Sequence, residues 1–264
     1  MSKLIIGRIP YGNLFPIFYN LINSYGHPSY QYISGVPTQL NDLLMEGSID
    51  LSPSSSIEFI KHKDIYDYID GHSVSSFGQI GSIFLFSLEP IEDLNEKVIN
   101  VTSHSATSVC LLNIIAREFY KINPILISRQ RPYEDEGNPF LLIGDEALIH
   151  FKHNKKYPYV YDLGQIWYDF TGLPFVFALW IVRRANIQGE KRSLFKRFVE
   201  SLNYARQKAL KNMAEIAIYS DLVKVLTSDE IIDYWKKIDY SLTNRHKESL
   251  NLFEQLYIKT GGIV

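Results

Sequence analysis

Short apolar runs alternate with amphipathic stretches from the amino terminus to about residue 184, and this alternation constrains the fold more than any other feature of the chain. Lys3–Ile9 is apolar and β-branched, a helical pattern follows from Leu14 to Ser24, and Ser29–Ile33 reads as a second strand. Pro37 opens the next helix in its first turn, where a missing N–H costs nothing, and Gly47 stops it. Ile49–Leu51 is extended again, and Ser55 or Ser56 is placed to cap a helix beginning at Ile57. Gly81–Phe86, Val98–Thr102, Leu126–Ser128 and Phe140–Ile143 continue the strand series, with a helix running from the Ser103–Ser108 stretch to Tyr120. Phe175–Val182 is almost continuously apolar, the pattern of a strand covered on both faces of a parallel sheet. From Glu190 onward the periodicity is helical, in about three segments.

Alternating strands and helices predict an α/β fold with doubly wound sheets. At 264 residues the chain is near the size at which one core divides into two. A helical tail after a buried strand suggests a chain that leaves its first domain, builds a second and returns. The expected division is a discontinuous first domain of residues 1–86 plus 176–264 and a second of 87–175, with a ligand cleft between them. The two crossover segments fall near Leu85–Pro90 and Leu173–Phe177.

Composition narrows the function. A formal net charge of -2, with no basic face able to neutralise a run of phosphates, argues against nucleic acid. Cys110 is the single cysteine, so neither an intrachain disulfide nor a thiolate zinc site can form, and its apolar helical setting reads as packing. The opening MSKLIIGRIPYGN lacks the apolar stretch of a secretory signal, and the longest apolar run, Leu173–Val182, is too short to span a bilayer. A cytoplasmic protein with no membrane partner is expected. No pattern sets an oligomeric state.

In open α/β sheets, ligands bind beyond the carboxyl ends of strands, where helices begin. Those positions here are rich in small hydroxyl and amide residues: Tyr11-Gly12-Asn13, Ser54-Ser55-Ser56, Gly78 with Gly81 and Ser82, and Ser105, Thr107 and Ser108. Helix amino termini offer free N–H donors and partial positive charge, so the pattern suits a small dicarboxylate. Serine and threonine are also the commonest helix caps, so any one cluster alone reads as a cap before it reads as a binding site, and it is the four together that point to a ligand. Asp145, after Leu141–Gly144, is either a cap or a site residue. His150 and His153 read as a solvated surface pair, since zinc needs at least three protein ligands, and Glu134-Asp135-Glu136 as an exposed acidic loop. No phosphate loop, dinucleotide glycine fingerprint or G-x-S-x-G elbow is present. These observations reach a two-domain α/β protein that binds a small anion, enzyme or receptor.

Five ordered stretches carry a resemblance to a known family. They are Gly7–Pro16 (GRIPYGNLFP), Gly47–Phe59 (GSIDLSPSSSIEF), Ser76–Ser87 (SFGQIGSIFLFS), Ser105–Val109 (SATSV) and a final series. That series is Ile143–Leu148 (IGDEAL), Tyr161–Trp167 (YDLGQIW) and Thr171–Trp180 (TGLPFVFALW). In these residues the chain resembles the chorismate dehydratases of the futalosine route to menaquinone. The resemblance implies a two-lobed periplasmic-binding-protein-like (type II) fold and a carbon–oxygen lyase, a hydro-lyase acting on chorismate with no cofactor and no metal. It implies that the substrate's own enolpyruvyl carboxylate removes the ring proton. On that analogy Asn13 and Ser82 are catalytic, Asn13 orienting the substrate and Ser82 bonding the carboxylate or assisting hydroxide departure. Tyr11, Ser55, Ser56, Gly81, Ser105, Thr107, Ser108 and Asp145 are the implied substrate-binding residues. Two departures stand out: the family's Tyr-Leu-Asn-Ala reads Tyr11-Gly12-Asn13-Leu14 here, and Ser54 replaces its usual valine. The alternatives are the sister 1,4-dihydroxy-6-naphthoate synthase, whose amino-terminal signature has no counterpart here, and a non-catalytic small-anion-binding protein.

Overall fold

A computed structural model describes residues 2–135 and 137–262. The chain begins with β1 (Leu4–Arg8), α1 (Phe15–Asn23), β2 (Tyr30–Ser34), α2 (Pro37–Glu46), β3 (Leu51–Ser55), α3 (Ser56–Lys61) and β4 (Tyr66–Ser76). It continues through β5 (Ile83–Ser87), β6 (Val98–Thr102), α4 (Ala106–Ile114), β7 (Ile125–Arg129), β8 (Phe140–Ile143), α5 (Gly144–His153), β9 (Tyr159–Asp162) and α6 (Leu163–Thr171). The last elements are β10 (Phe175–Arg183), α7 (Glu190–Lys211), α8 (Met213–Ala217), α9 (Ser228–Lys237), β11 (Asp239–Leu242) and α10 (Asn244–Lys259).

Local chemistry accounts for many of these bounds. Pro37 occupies the first turn of α2, and Gly47 closes it with φ +84°, a conformation that side-chain-bearing residues rarely adopt. Asp162 caps α6, and Gly172, with φ +68°, ends it. β4 and β11 have no counterpart in the sequence reading. β4 ends in a polar run whose Ser73, Ser75 and Ser76 are buried by their neighbours rather than by their own character, and β11 is only four residues long, with Tyr240 and Leu242 buried.

One sheet runs β11-β4-β10-β3-β1-β2 and the other β7-β6-β8-β5-β9. β1 pairs parallel with β2, from Leu4 beside Tyr30 to Arg8 beside Ser34, and parallel with β3. β10 is buried along nearly its whole length, as its apolar run predicts, yet it pairs antiparallel with β3, from Ala178 beside Ser55 to Val182 beside Leu51. The expected parallel sheet is therefore mixed. Burial on both faces sets an apolar run whatever the strand direction, so the pattern alone does not reveal polarity.

The chain forms two compact units, Met1–Val74 with Ala178–Lys236, and Ser75–Phe177 with Lys237–Val264. The sequence reading places residues 75–86 and the carboxyl-terminal segment in the first domain; in the structure both join the second unit. Burial and a hydrogen bond hold the tail there. The Trp167 indole N–H donates to Ser249 Oγ at 3.0 Å, and the Phe175 ring lies 5.0 Å from both Trp167 and Phe253.

In the first unit, α1 and α7 cover one face of the sheet. The Phe18 ring lies 5.5 Å from Trp180, and Phe198 lies 5.8 Å from Trp180 and 5.6 Å from Tyr30. The second unit has a core cluster of Phe84, Phe86, Phe140, Leu142 and Ala147, with Tyr133, Tyr157 and Val160 packed against it. His150 is part of this packing. Its ring lies 4.4 Å from that of Tyr133, and burial pushes its pKa below the ordinary value, so the expected solvated pair reduces to His153 alone. Cys110 is buried in α4. Glu134 and Asp135 are exposed, with Glu134 paired to Arg131 at 2.8 Å; Glu136 lies outside the described residues. Among the described residues no helix is long and apolar enough to cross a membrane.

Candidate functional site

In the first unit the parallel strands β1 and β3 finish at the same sheet edge, and two of the sequence clusters follow them there. Tyr11–Phe15 is a tight turn: Leu14 N–H donates to the Tyr11 carbonyl at 3.2 Å and Phe15 N–H to that of Gly12 at 3.3 Å. α9 pins this turn. The Trp235 indole N–H donates to Gly12 O at 2.8 Å, and its ring stacks on Phe15 with centroids 6.1 Å apart. Because Trp235 bonds a backbone carbonyl, it is indifferent to the side chain at position 12. A glycine at position 12 is thus compatible with the turn that carries Asn13. Tyr11 and Asn13 are both half-buried.

Ser55 occupies the cap position of α3 without making a side-chain cap bond, and Ser56 is fully buried in the first turn. The Ser54 hydroxyl is buried with no hydrogen-bond partner among the described residues. A buried unpartnered hydroxyl is costly, so this serine stands out.

The second unit brings more together. β6 runs parallel to β7 and β8, while β5 runs antiparallel to both β8 and β9. Consequently β6, β8 and β9 all finish at the edge where β5 starts, and α4, α5 and α6 all begin there. The loop ending in Ser82 enters β5 at this same edge. Of the three helices that begin at this edge, α5 carries Asp145 and Glu146 in its first turn and α6 is capped by the Asp162 carboxylate, whereas α4 has no acidic residue at its start and so favours a small anion.

Ser105 caps α4: its Oγ accepts from Ser108 N–H at 3.2 Å and donates to Ser108 Oγ at 2.9 Å. The cap is made by the Ser105 hydroxyl and the Ser108 N–H. Thr107 is buried in the same turn, and Asp145 sits half-buried in the first turn of α5. The residue before it, Gly144, donates its N–H to the Ser82 carbonyl at 2.7 Å. Two motifs about sixty residues apart thus meet at Ser82, itself only 2 % exposed.

Asp162 has no role in the sequence reading, although an aspartate ahead of Leu-Gly-Gln and an apolar helical run is a recognisable cap signal. Its Oδ1 accepts from Gly164 N–H at 2.9 Å, Gln165 N–H at 3.2 Å and Ile80 N–H at 3.2 Å. Its Oδ2 accepts from Gly81 N–H at 2.7 Å. The Gly81 amide is therefore engaged within the protein. Burial pushes the Asp162 carboxyl above its ordinary pKa, against the four N–H bonds, which favour the charged form.

Among the described residues no group of three or more His, Cys, Asp or Glu is arranged to hold a metal ion.

A family model described as menaquinone biosynthesis matches residues 4–259. The chorismate dehydratase of Thermus thermophilus is 30% identical over 233 residues, covering 82% of this chain and 81% of that protein. The chorismate dehydratase of Campylobacter jejuni is 28% identical over 239 residues, covering 83% and 88%. Among solved structures, an Archaeoglobus fulgidus protein aligns with a TM-score of 0.78 at 16% identity, covering 99% and 98% of the two chains. A Candida albicans protein described as having the generic periplasmic binding protein structural fold aligns with a TM-score of 0.68 at 12% identity, covering 98% and 94%. At such identities the structures speak for the fold, which is α/β and of the periplasmic-binding-protein kind. The family match spans nearly every element described above, from β1 to the end of α10, and by it the chain belongs to the menaquinone-biosynthesis family.

Proposed function

We propose that this protein is a chorismate dehydratase, a hydro-lyase that converts chorismate to 3-[(1-carboxyvinyl)oxy]benzoate and water in menaquinone biosynthesis. The observation that carries the reading is the 30% identity to the Thermus thermophilus chorismate dehydratase over more than four fifths of both chains.

The reaction removes the ring C3 proton and the C4 hydroxyl. The C–H electron pair enters the ring as the C4–O bond breaks, and aromatisation supplies the driving force. The enolpyruvyl carboxylate of the substrate takes the proton, and the departing hydroxide leaves as water once it acquires one. The protein then has to hold the substrate in a reactive rotamer and assist the leaving group, which is a task of positioning and hydrogen bonding. Asn13 orients the substrate, and Ser82 bonds the carboxylate or the departing hydroxide. Tyr11, Ser55, Ser56, Thr107 and Asp145 line the substrate, and the start of α4, free of acidic residues, favours one of its carboxylates.

The test is incubation of the purified protein with chorismate, following loss of the diene absorbance. The expected product is lighter by one water and aromatic by NMR. Asn13→Ala and Ser82→Ala should each lower kcat by about 100-fold, since small errors of placement carry losses of that order, with little change in Tm. Intact chorismate after prolonged incubation overturns the proposal, and near-normal turnover in either variant removes that residue's role.

A further inference from the structure

The Asp162 carboxylate does more than a helix cap needs. Capping α6 uses one oxygen and the amides two and three residues onward, which Oδ1 supplies with Gly164 and Gln165. The remaining two bonds reach 82 and 81 residues back, to Ile80 and Gly81 in the loop between β4 and β5. That loop is built to lie against α6. Gly78 and Gly81 have φ of +86° and +76°, and Ser76 Oγ donates to the Gly78 carbonyl at 2.8 Å. A Cβ on Gly164 would lie 2.7 Å from that carbonyl oxygen and 2.8 Å from Ser76 Oγ, so only glycine permits this approach. The next residue is Ser82, whose carbonyl is held from the other side by Gly144 N–H. The backbone of Gly81–Ser82 is thereby clamped at both ends, once by a carboxylate and once by the start of α5.

We infer that Asp162 is a positioning residue for Ser82, fixing the loop that presents the serine through the Ile80 and Gly81 amides. The inference rests on the proposed role of Ser82 in turnover. It assigns Asp162 two separable tasks, capping α6 and clamping the loop. Asp162→Asn separates them. An asparagine oxygen caps α6 as well as a carboxylate does, but its NH2 group faces the Gly81 N–H, two donors where an acceptor stood. The Gly81 bond is lost, while the helix cap and the Ile80 bond, both made by the other oxygen, survive.

The expected result for Asp162→Asn is a fall in kcat of about 30-fold or more, as for other displacements of a catalytic group by a fraction of an ångström, with KM changed by less than about 3-fold. A residue acting through Ser82 has nothing left to position once that hydroxyl is gone. Asp162→Asn added to Ser82→Ala should therefore cost less than about 2-fold further, the non-additivity expected of coupled residues. Asp162→Ser, whose hydroxyl caps α6 but is too short to reach Gly81, carries the same expectation and serves if the asparagine variant does not fold. Two results overturn the inference while leaving the proposed role of Ser82 intact. One is near-normal kcat in the Asp162 variants beside a strongly impaired Ser82→Ala. The other is an equal loss in the wild-type and Ser82→Ala backgrounds. Near-normal turnover in Ser82→Ala itself removes the underlying role, and this inference with it.

Discussion

Gly7 is the fourth of the five residues of β1, and its lack of a side chain is what lets β3 come close. A Cβ at this position would stand 2.4 Å from Ser52 Oγ, 2.7 Å from Ser52 Cβ and 3.1 Å from Ile49 Cδ1. Carbon atoms in contact prefer about 3.5–4.0 Å, so the Ser52 Cβ contact is short by roughly 1 Å. Rotating Ser52 frees Oγ but leaves Cβ in place. Ser52 is fully buried in β3, which is flanked by β1 and β10, so the strands themselves must separate. Overpacking of this kind costs about 1–3 kcal/mol, and the backbone involvement puts Gly7→Ala in the upper part of that range. Reduced freedom of the unfolded chain returns about 0.4–1 kcal/mol, leaving a net loss of about 2 kcal/mol. Ser52→Gly removes both obstructing atoms and leaves only the flexible tip of Ile49. The double variant should therefore recover about 1 kcal/mol or more of the single variant's loss, a coupling expected of contacting residues. Urea denaturation read by circular dichroism checks this through the shift in midpoint at constant slope. If Gly7→Ala unfolds at the wild-type midpoint, or if Ser52→Gly destabilises both backgrounds equally, crowding between β1 and β3 is not what demands the glycine.

Two further outcomes follow from buried polar groups. Burial, with Arg206 nearby, lowers the His72 pKa to about 4, and Nε2 lies 2.9 Å from Asn203 Oδ1. The unfolded chain takes up that proton near pH 6.5, so between pH 6.5 and 4 the unfolded state binds more protons and stability falls as pH falls. Each pH unit in that window contributes about 1.36 kcal/mol, up to roughly 3 kcal/mol in all, and nothing above pH 6.5. His72→Gln should lose this component of the acid slope in urea midpoints taken from pH 7.5 to 4.5; an unchanged slope refutes it. Ser249→Ala leaves the buried Trp167 indole N–H without its acceptor and should cost about 1–3 kcal/mol, with tryptophan fluorescence reporting the altered environment. A midpoint equal to wild type would mean that this bond does not hold α10 to the second unit.

Local chemistry by itself specified most of the elements. The apolar β-branched run at Lys3–Ile9 became β1, Pro37 and Gly47 bracketed α2, and Phe140–Ile143 became β8 residue for residue. Each of those signals is contained in a few neighbouring side chains, which is why it is legible without a partner. The residue clusters at strand ends were legible for the same reason, and the ordered motifs led to the family that the whole-chain match bears out. Tertiary structure decided what depends on partners far along the chain. β4 is a strand because its neighbours bury Ser73, Ser75 and Ser76, polar residues that carry no strand pattern of their own, and β11, Asp239–Leu242, is too short a run to stand out in the sequence. The direction of β10 is set by its pairing with β3, since an apolar strand reads alike in either sense. Residues 237–264 join the second unit because Ser249 and Phe253 meet Trp167 and Phe175 there, contacts that no local period encodes. The bonds from Asp162 to Ile80 and Gly81 belong to the same class. An aspartate before a helix announces a cap, but only the pairing of β5 with β9 brings that carboxylate beside the loop that carries Ser82.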